Sequence, residues 1–140
     1  MAANTDPIYS RAPLISWIGP IVTANTTPDL STGTSYLLFT ADATNGSFVT
    51  KLRLHATPAG NTTATVLRLF INNGSTTGTA TNNSLHDEIT LPATTASAAS
   101  ATANYEIPLN IALPPGYVLY ATIGTGSANG WYATVIGGKY

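Results

Sequence analysis

The sequence predicts an all-β fold, an antiparallel β-sandwich of eight strands. Three observations point there: apolar residues recur with period two, turn residues punctuate the chain at even spacing, and no segment carries a convincing helical period. A jelly roll is the first expectation and a meander β-barrel the alternative. Jelly rolls send most consecutive strands to opposite sheets, whereas tight Asn-Gly hairpins would pair neighbours within one sheet.

The strands follow in chain order. Runs at about 13–23 and 35–42 open the sandwich. Leu52 and Leu54 alternate with Lys51, Arg53 and His55, and Leu67, Leu69 and Ile71 form a stripe opposite Val66, Arg68 and Phe70. A run at about 85–92 follows. The clearest strand places Tyr105, Ile107, Leu109, Ile111 and Leu113 on one face and Glu106, Pro108, Asn110 and Ala112 on the other. Runs at about 117–125 and 131–137 complete the set. Pro108 cannot donate to a ladder, so its strand is expected at an edge or bulged.

Asn45-Gly46 and Asn129-Gly130 are read as tight hairpin turns, and Pro115-Gly116 as the centre of a type II turn. Pro58-Ala59-Gly60-Asn61 is a further turn cluster. Ser84-Leu85-His86-Asp87 has the form of a capping box, but the strand-like Ile89-Thr90-Leu91 allows at most one helical turn. Segments 73–84 and 93–104 read as extended surface loops. The domain organisation is an extended N-terminal arm, residues 1–12, and one sandwich domain, residues 13–140.

Composition narrows the function. Lys and Arg number 5, Asp and Glu 6, cysteine is absent and the net charge is −1, while threonine occurs 24 times. Such a chain has no field to steer nucleic acid or an anionic membrane and no thiolate framework. The start lacks the basic and apolar regions of a signal peptide, and no apolar run reaches membrane-spanning length, so the expectation is a protein made in the cytoplasm.

Candidate chemistry is sparse. His86, Asp87 and Glu88 are adjacent, but neighbours on a strand point to opposite faces and do not converge on a metal. Residues 124–130 are rich in glycine yet lack both the nucleophile-elbow spacing and a phosphate-loop lysine. Asp6, Asp29, Asp42, Asp87, Glu88 and Glu106 offer no facing carboxylate pair. We assign no catalytic, cofactor-binding or metal-binding residue and expect no enzyme. Lys51, Arg53 and Arg68 would form a modest basic spot if their strands were neighbours. Trp17, Trp131, Tyr132 and Tyr140 are candidates for a sugar-stacking platform, with Trp17 and Trp131 read in preference as core residues.

A sheet protein with two lysines must cover its edges with loops, prolines or neighbouring subunits. Its small polar surface residues lose little entropy when immobilised, which favours a homo-oligomer docked on a larger assembly. The opening MAANTDPIYS-RAPLISW, the stretch ITLPATTAS, the pair YEIPLNIALPPGYVLYATIG and the ending WYATVIGGKY resemble small structural proteins of tailed bacteriophages, similar in layout to head decoration (cement) proteins. The resemblance spans nearly the whole chain and rests on overall pattern. It implies a β-sandwich that forms homotrimers on the capsid surface of the virion and clamps major capsid protein subunits, with no catalytic residues. Ile8, Tyr9 and Arg11 of the arm are the expected contact residues. Rival readings are a tail-fibre or baseplate glycan-binding module, a jelly-roll shell subunit, and a trimeric tumour-necrosis-factor-like or complement-like head.

Overall fold

The computed structural model describes residues 11–140. Alternating inward apolar residues build eight strands among the described residues: β1 (Ala12–Ile21), β2 (Tyr36–Thr40), β3 (Ser47–Ala56), β4 (Thr65–Asn72), β5 (Asn83–Leu91), β6 (Asn104–Leu113), β7 (Val118–Ile123) and β8 (Trp131–Lys139). Sheet one has the order β1-β8-β3-β6 and sheet two β2-β7-β4-β5, with every pairing antiparallel. Only β4 and β5 are consecutive strands paired within a sheet; every other connection crosses between sheets. That is the jelly-roll order, and the meander alternative is set aside.

The same topology corrects the two Asn-Gly hairpins. Asn45-Gly46 joins β2 to β3 and Asn129-Gly130 joins β7 to β8, so each crosses between sheets. Gly46 does take positive φ (77°), and its N–H donates to the Asp42 carbonyl at 3.0 Å. Neither Asn129 nor Gly130 takes positive φ; Gly130 is required there because the Ile21 carbonyl leaves no room for a Cβ, so the dipeptide marks a turn without saying which sheet comes next. Pro115-Gly116 matches its expected type II turn, with Gly116 at φ 76° and Tyr117 N–H donating to the Pro114 carbonyl at 3.2 Å.

Both sheets give alternate side chains to one core. Leu52, Leu54, Ala133 and Val135 meet Leu67, Leu69, Leu119, Ala121 and Ile123, all essentially inaccessible to solvent. Trp131 is fully buried, with Tyr105 stacked at a tilt 5.9 Å away between ring centroids. Two bulges keep the alternation aimed inward. In β1, Gly19-Pro20 lies between Ile18 opposite Ala133 and Ile21 opposite Trp131, so Ile18 and Ile21 both reach the core. In β3, Thr50 is the extra residue between Val49 opposite Gly137 and Lys51 opposite Ile136, so Val49 and Leu52 both reach the core. Opposite it, β6 pairs Pro108 with Lys51 and Ile111 with Val49 around positive-φ Asn110 (50°) and keeps its strict alternation. Pro108 is therefore both on an edge strand and beside a bulge.

The four edges are blunted locally. Proline occupies β1 (Pro13, Pro20) and β6 (Pro108), β2 is short, and β5 is bulged at His86 beside the exposed charges of Asp87, on the face of Leu69, and Glu88, on the face of Arg68. Ser84–Asp87 lies wholly in β5; a single 3-10 turn, Ala80–Asn82, precedes it.

Trp17 is the main correction to the expected core. It is 74% exposed, on the outer side of β1 with Ile15, while Leu14 and Ile18 face inward. Replacing each tryptophan by alanine should separate the two: Trp131→Ala is expected to cost about 3–5 kcal/mol, and Trp17→Ala no more than about 0.5 kcal/mol. Urea-unfolding midpoints measure both.

Candidate interaction surfaces

Two surfaces stand out once the strands are placed. The first is the sandwich end where β1, β3, β5 and β7 finish. Connections 57–64, 92–103 and 124–130 meet there, and none contains a charged residue. Neutral hydrogen bonds tie them together. Thr62 and Thr94 exchange backbone bonds at 3.0 and 3.2 Å, with their hydroxyls 2.7 Å apart. Ala96 N–H donates to Asn61 Oδ1, and Asn129 Nδ2 donates to the Asn61 carbonyl. Ser127 Oγ accepts from Thr63 N–H at 3.1 Å and donates to the Asn129 carbonyl at 2.6 Å. The result is an ordered crown of Thr, Ser, Ala, Asn and Gly whose tips, such as Ser97 to Ser100, stay exposed.

The second surface is the outer face of sheet one. Register sets side chains there in rows running across the strands. One row is Trp17, Thr134, Arg53 and Glu106; the next is Ile15, Ile136, Lys51 and Pro108; on the other side Tyr132, His55 and Asn104 align. The β1–β8 half is apolar and aromatic, with Ile15 54% and Tyr132 40% exposed beside Trp17. The β3–β6 half is polar. Lys51 Nζ pairs with Glu106 Oε2 at 3.0 Å, and Arg53 has no ion-pair partner among the described residues. His55 Nδ1 lies 2.7 Å from the Ala56 carbonyl, which requires Nδ1 to donate and leaves Nε2 as the acceptor.

The outer face of sheet two is covered in part, with Leu37 and Leu85 on it still 44% and 47% exposed. Segment 24–35 leaves β1, bridges from Ala24 to Ile123, and reaches β5 where Asn83 Nδ2 donates to the Asp29 carbonyl at 3.0 Å. Its Leu30 is buried, as are Phe70 and Thr122 on the outer side of the sheet beneath. Asn25 Nδ2 donates to the Thr32 and Thr34 carbonyls and folds the segment back on itself. The Ser31 hydroxyl and N–H hold the Asp29 carboxyl below its ordinary value. Tyr36 Oη, pushed up by burial, is carried below its usual value by the N–H groups of Thr23 and Val22. A shallow groove of about 440 Å³ remains beside Thr26, Val66, Arg68 and Thr90. The Arg68 Nε there is already committed to Glu88 at 2.8 Å.

The other expected site residues scatter. Ile8 and Tyr9 lie outside the described residues; exposed Arg11 donates its N–H to the Lys139 carbonyl at 2.7 Å, just before β1 begins. Arg68 belongs to the second sheet, so it forms no basic spot with Lys51 and Arg53. Of the four aromatic residues, Trp131 is core and only Trp17 and Tyr132 share the outer face. Among the described residues, no group of three His, Asp or Glu is placed to hold a metal ion. The crown was missed in the sequence because its loops converge only through topology, although their lack of charge was legible.

No family model matches the chain, and no curated protein does. Among solved structures it is similar to a chain of infectious bursal disease virus, Gx strain, at 17% identity and TM-score 0.35, covering 96% of this chain and 36% of that one. A chain of the Gt strain gives 14% identity and TM-score 0.29, covering 98% and 36%. This chain thus spans about a third of the length of the chains it matches. Both likenesses are distant, and the functional reading rests on this chain's own surfaces.

Two stability outcomes follow from these networks. Ser127→Ala strands the Thr63 N–H and is expected to cost about 1–3 kcal/mol in urea unfolding. Asp42 accepts from the N–H groups of Asn45 and Thr44, with Lys139 Nζ 3.9 Å away, and its carboxyl is held below the ordinary 3.8. A depressed carboxyl stabilises above the unfolded value and loses that contribution as pH falls through the folded value. Asp42→Ala should therefore lower Tm at pH 7, and the gap to the parent protein should narrow as pH drops below about 3.8.

Proposed function

We propose that the protein is a structural component of a virion, a capsid decoration (cement) protein of a tailed-phage head that binds as a homotrimer and clamps neighbouring major capsid protein subunits. The observation that carries this reading is the uncharged, internally hydrogen-bonded crown at one end of the jelly roll. Burial of such a surface strands no ion, and its cross-ties already hold the loops in place, so little order remains to be imposed on docking.

The mechanism is linkage. A protein that binds the assembled lattice and not its separated subunits stabilises the lattice by mass action. A trimer gains further because the second and third contacts form at high effective concentration. The arm residues Ile8, Tyr9 and Arg11 supply a second contact in this reading, with two apolar anchors.

Cosedimentation with empty heads of the parent virion tests the reading. Ser97→Glu with Ala99→Glu puts two charges on exposed crown positions and should weaken head binding by at least about tenfold, with Tm unchanged. Deletion of residues 2–11 should weaken it as well. Undiminished binding by the double variant overturns the crown as the contact. A stable monomer at micromolar concentration in analytical ultracentrifugation overturns the homo-oligomer. Closed particles formed by the protein alone would favour a shell subunit instead.

A further inference from the structure

We propose that the outer face of sheet one is a binding platform for an acidic saccharide, with Trp17 stacking on a pyranose ring and Arg53 receiving its carboxylate. Among the described residues no segment covers this face, and its exposed apolar part is small. Trp17 at 74%, Ile15 at 54% and Tyr132 at 40% exposure together present roughly 350 Å². A stable interface with another protein needs about 800 Å² per partner. The apolar share of such an interface side is roughly 450 Å², more than this patch presents, and a short stretch of sugar chain fits it.

The chemistry of the rows selects the sugar. An indole face carries negative charge density and attracts the C–H bonds of the apolar side of a pyranose. Trp17 and Tyr132 sit diagonally across β1 and β8, a separation of roughly 7–8 Å that lets both rings touch one ring or two adjoining ones. Arg53 lies in the same row as Trp17, two strand spacings or about 10 Å away, the span of roughly two sugar units. Thr134 stands between them and offers a hydroxyl to the intervening sugar hydroxyls. His55 Nε2, with Nδ1 committed to the Ala56 carbonyl, adds an acceptor in the neighbouring row.

Charge decides between neutral and acidic sugars. Lys51 is paired with Glu106, while Arg53 is exposed without an ion-pair partner among the described residues. A guanidinium binds a carboxylate through two parallel hydrogen bonds, so an unpaired arginine beside a stacking tryptophan favours a uronic or sialic acid over a neutral hexose. This platform is separate from the crown and does not depend on head binding.

The protein carries its own reporter, because Trp131 is buried and Trp17 is exposed. Titration of the free protein with polygalacturonate should quench and blue-shift tryptophan emission, and neutral dextran should produce a much smaller change. Trp17→Ala should abolish the signal and weaken binding in affinity electrophoresis by about tenfold or more, with Tm preserved. Arg53→Gln should weaken binding to polygalacturonate while leaving the response to dextran unchanged. No response to polygalacturonate, hyaluronan and a sialylated oligosaccharide overturns the proposal, as does undiminished affinity in either variant. A blue shift that grows with protein concentration in the absence of sugar would identify a second copy as the occupant and overturn it as well. Because the assay uses free protein and the head-binding test uses crown variants, failure of one reading is distinguishable from failure of the other.

Discussion

Almost every strand in this sandwich is paired with a strand distant in sequence, so the shared core between the sheets is the interaction on which the rest depends. Only β4 and β5 form a local hairpin. The other pairings close long loops, and that entropy is recovered only when Leu52, Leu54 and Val135 on one sheet meet Leu67, Leu69 and Leu119 on the other. Turns, bulges and edge prolines are subordinate to that meeting. The bulges in β1 and β3 each add a residue where strict alternation would otherwise turn apolar side chains away from the core.

The two outer faces show what the core leaves over. Segment 24–35 bridges to β7 at Ala24 and to β5 at Asp29, and Leu30, Phe70 and Thr122 are buried while Leu37 and Leu85 on the same outer face stay exposed. Among the described residues sheet one has no such segment. Its outer rows carry an apolar and aromatic half on β1–β8 and a charged half on β3–β6. The end crown presents a third kind of surface, polar without charge. Scarcity of charge is thus unevenly spread: the ion pairs Lys51–Glu106 and Arg68–Glu88 sit on sheet faces, and the crown loops have none.

Much of the fold was legible residue by residue. The alternation in β6, the position of Pro108, the type II turn at Pro115-Gly116 and the two long loops all follow from local chemistry. Trp17 was not legible, for a definite reason. In β1 both faces are apolar, Leu14 and Ile18 on one and Ile15 and Trp17 on the other, so period two alone does not identify the inward face. The same limit hid Phe70, which lies opposite the inward stripe of β4 and is nevertheless buried, because a connecting segment covers it.

The candidate surfaces divide in the same way. The sequence by itself determined an all-β chain with alternating strands, turns at known positions and loops without charge, because propensity, alternation and turn chemistry act over a few residues. Only the tertiary structure decided which strands became neighbours. It sent the Asn-Gly turns across the sandwich, separated Arg68 from Lys51 and Arg53, aligned Trp17 with Arg53 across β8 and gathered three loops into one crown. Those are relations between residues tens of positions apart, set by how two sheets bury a common core, and no local pattern encodes them.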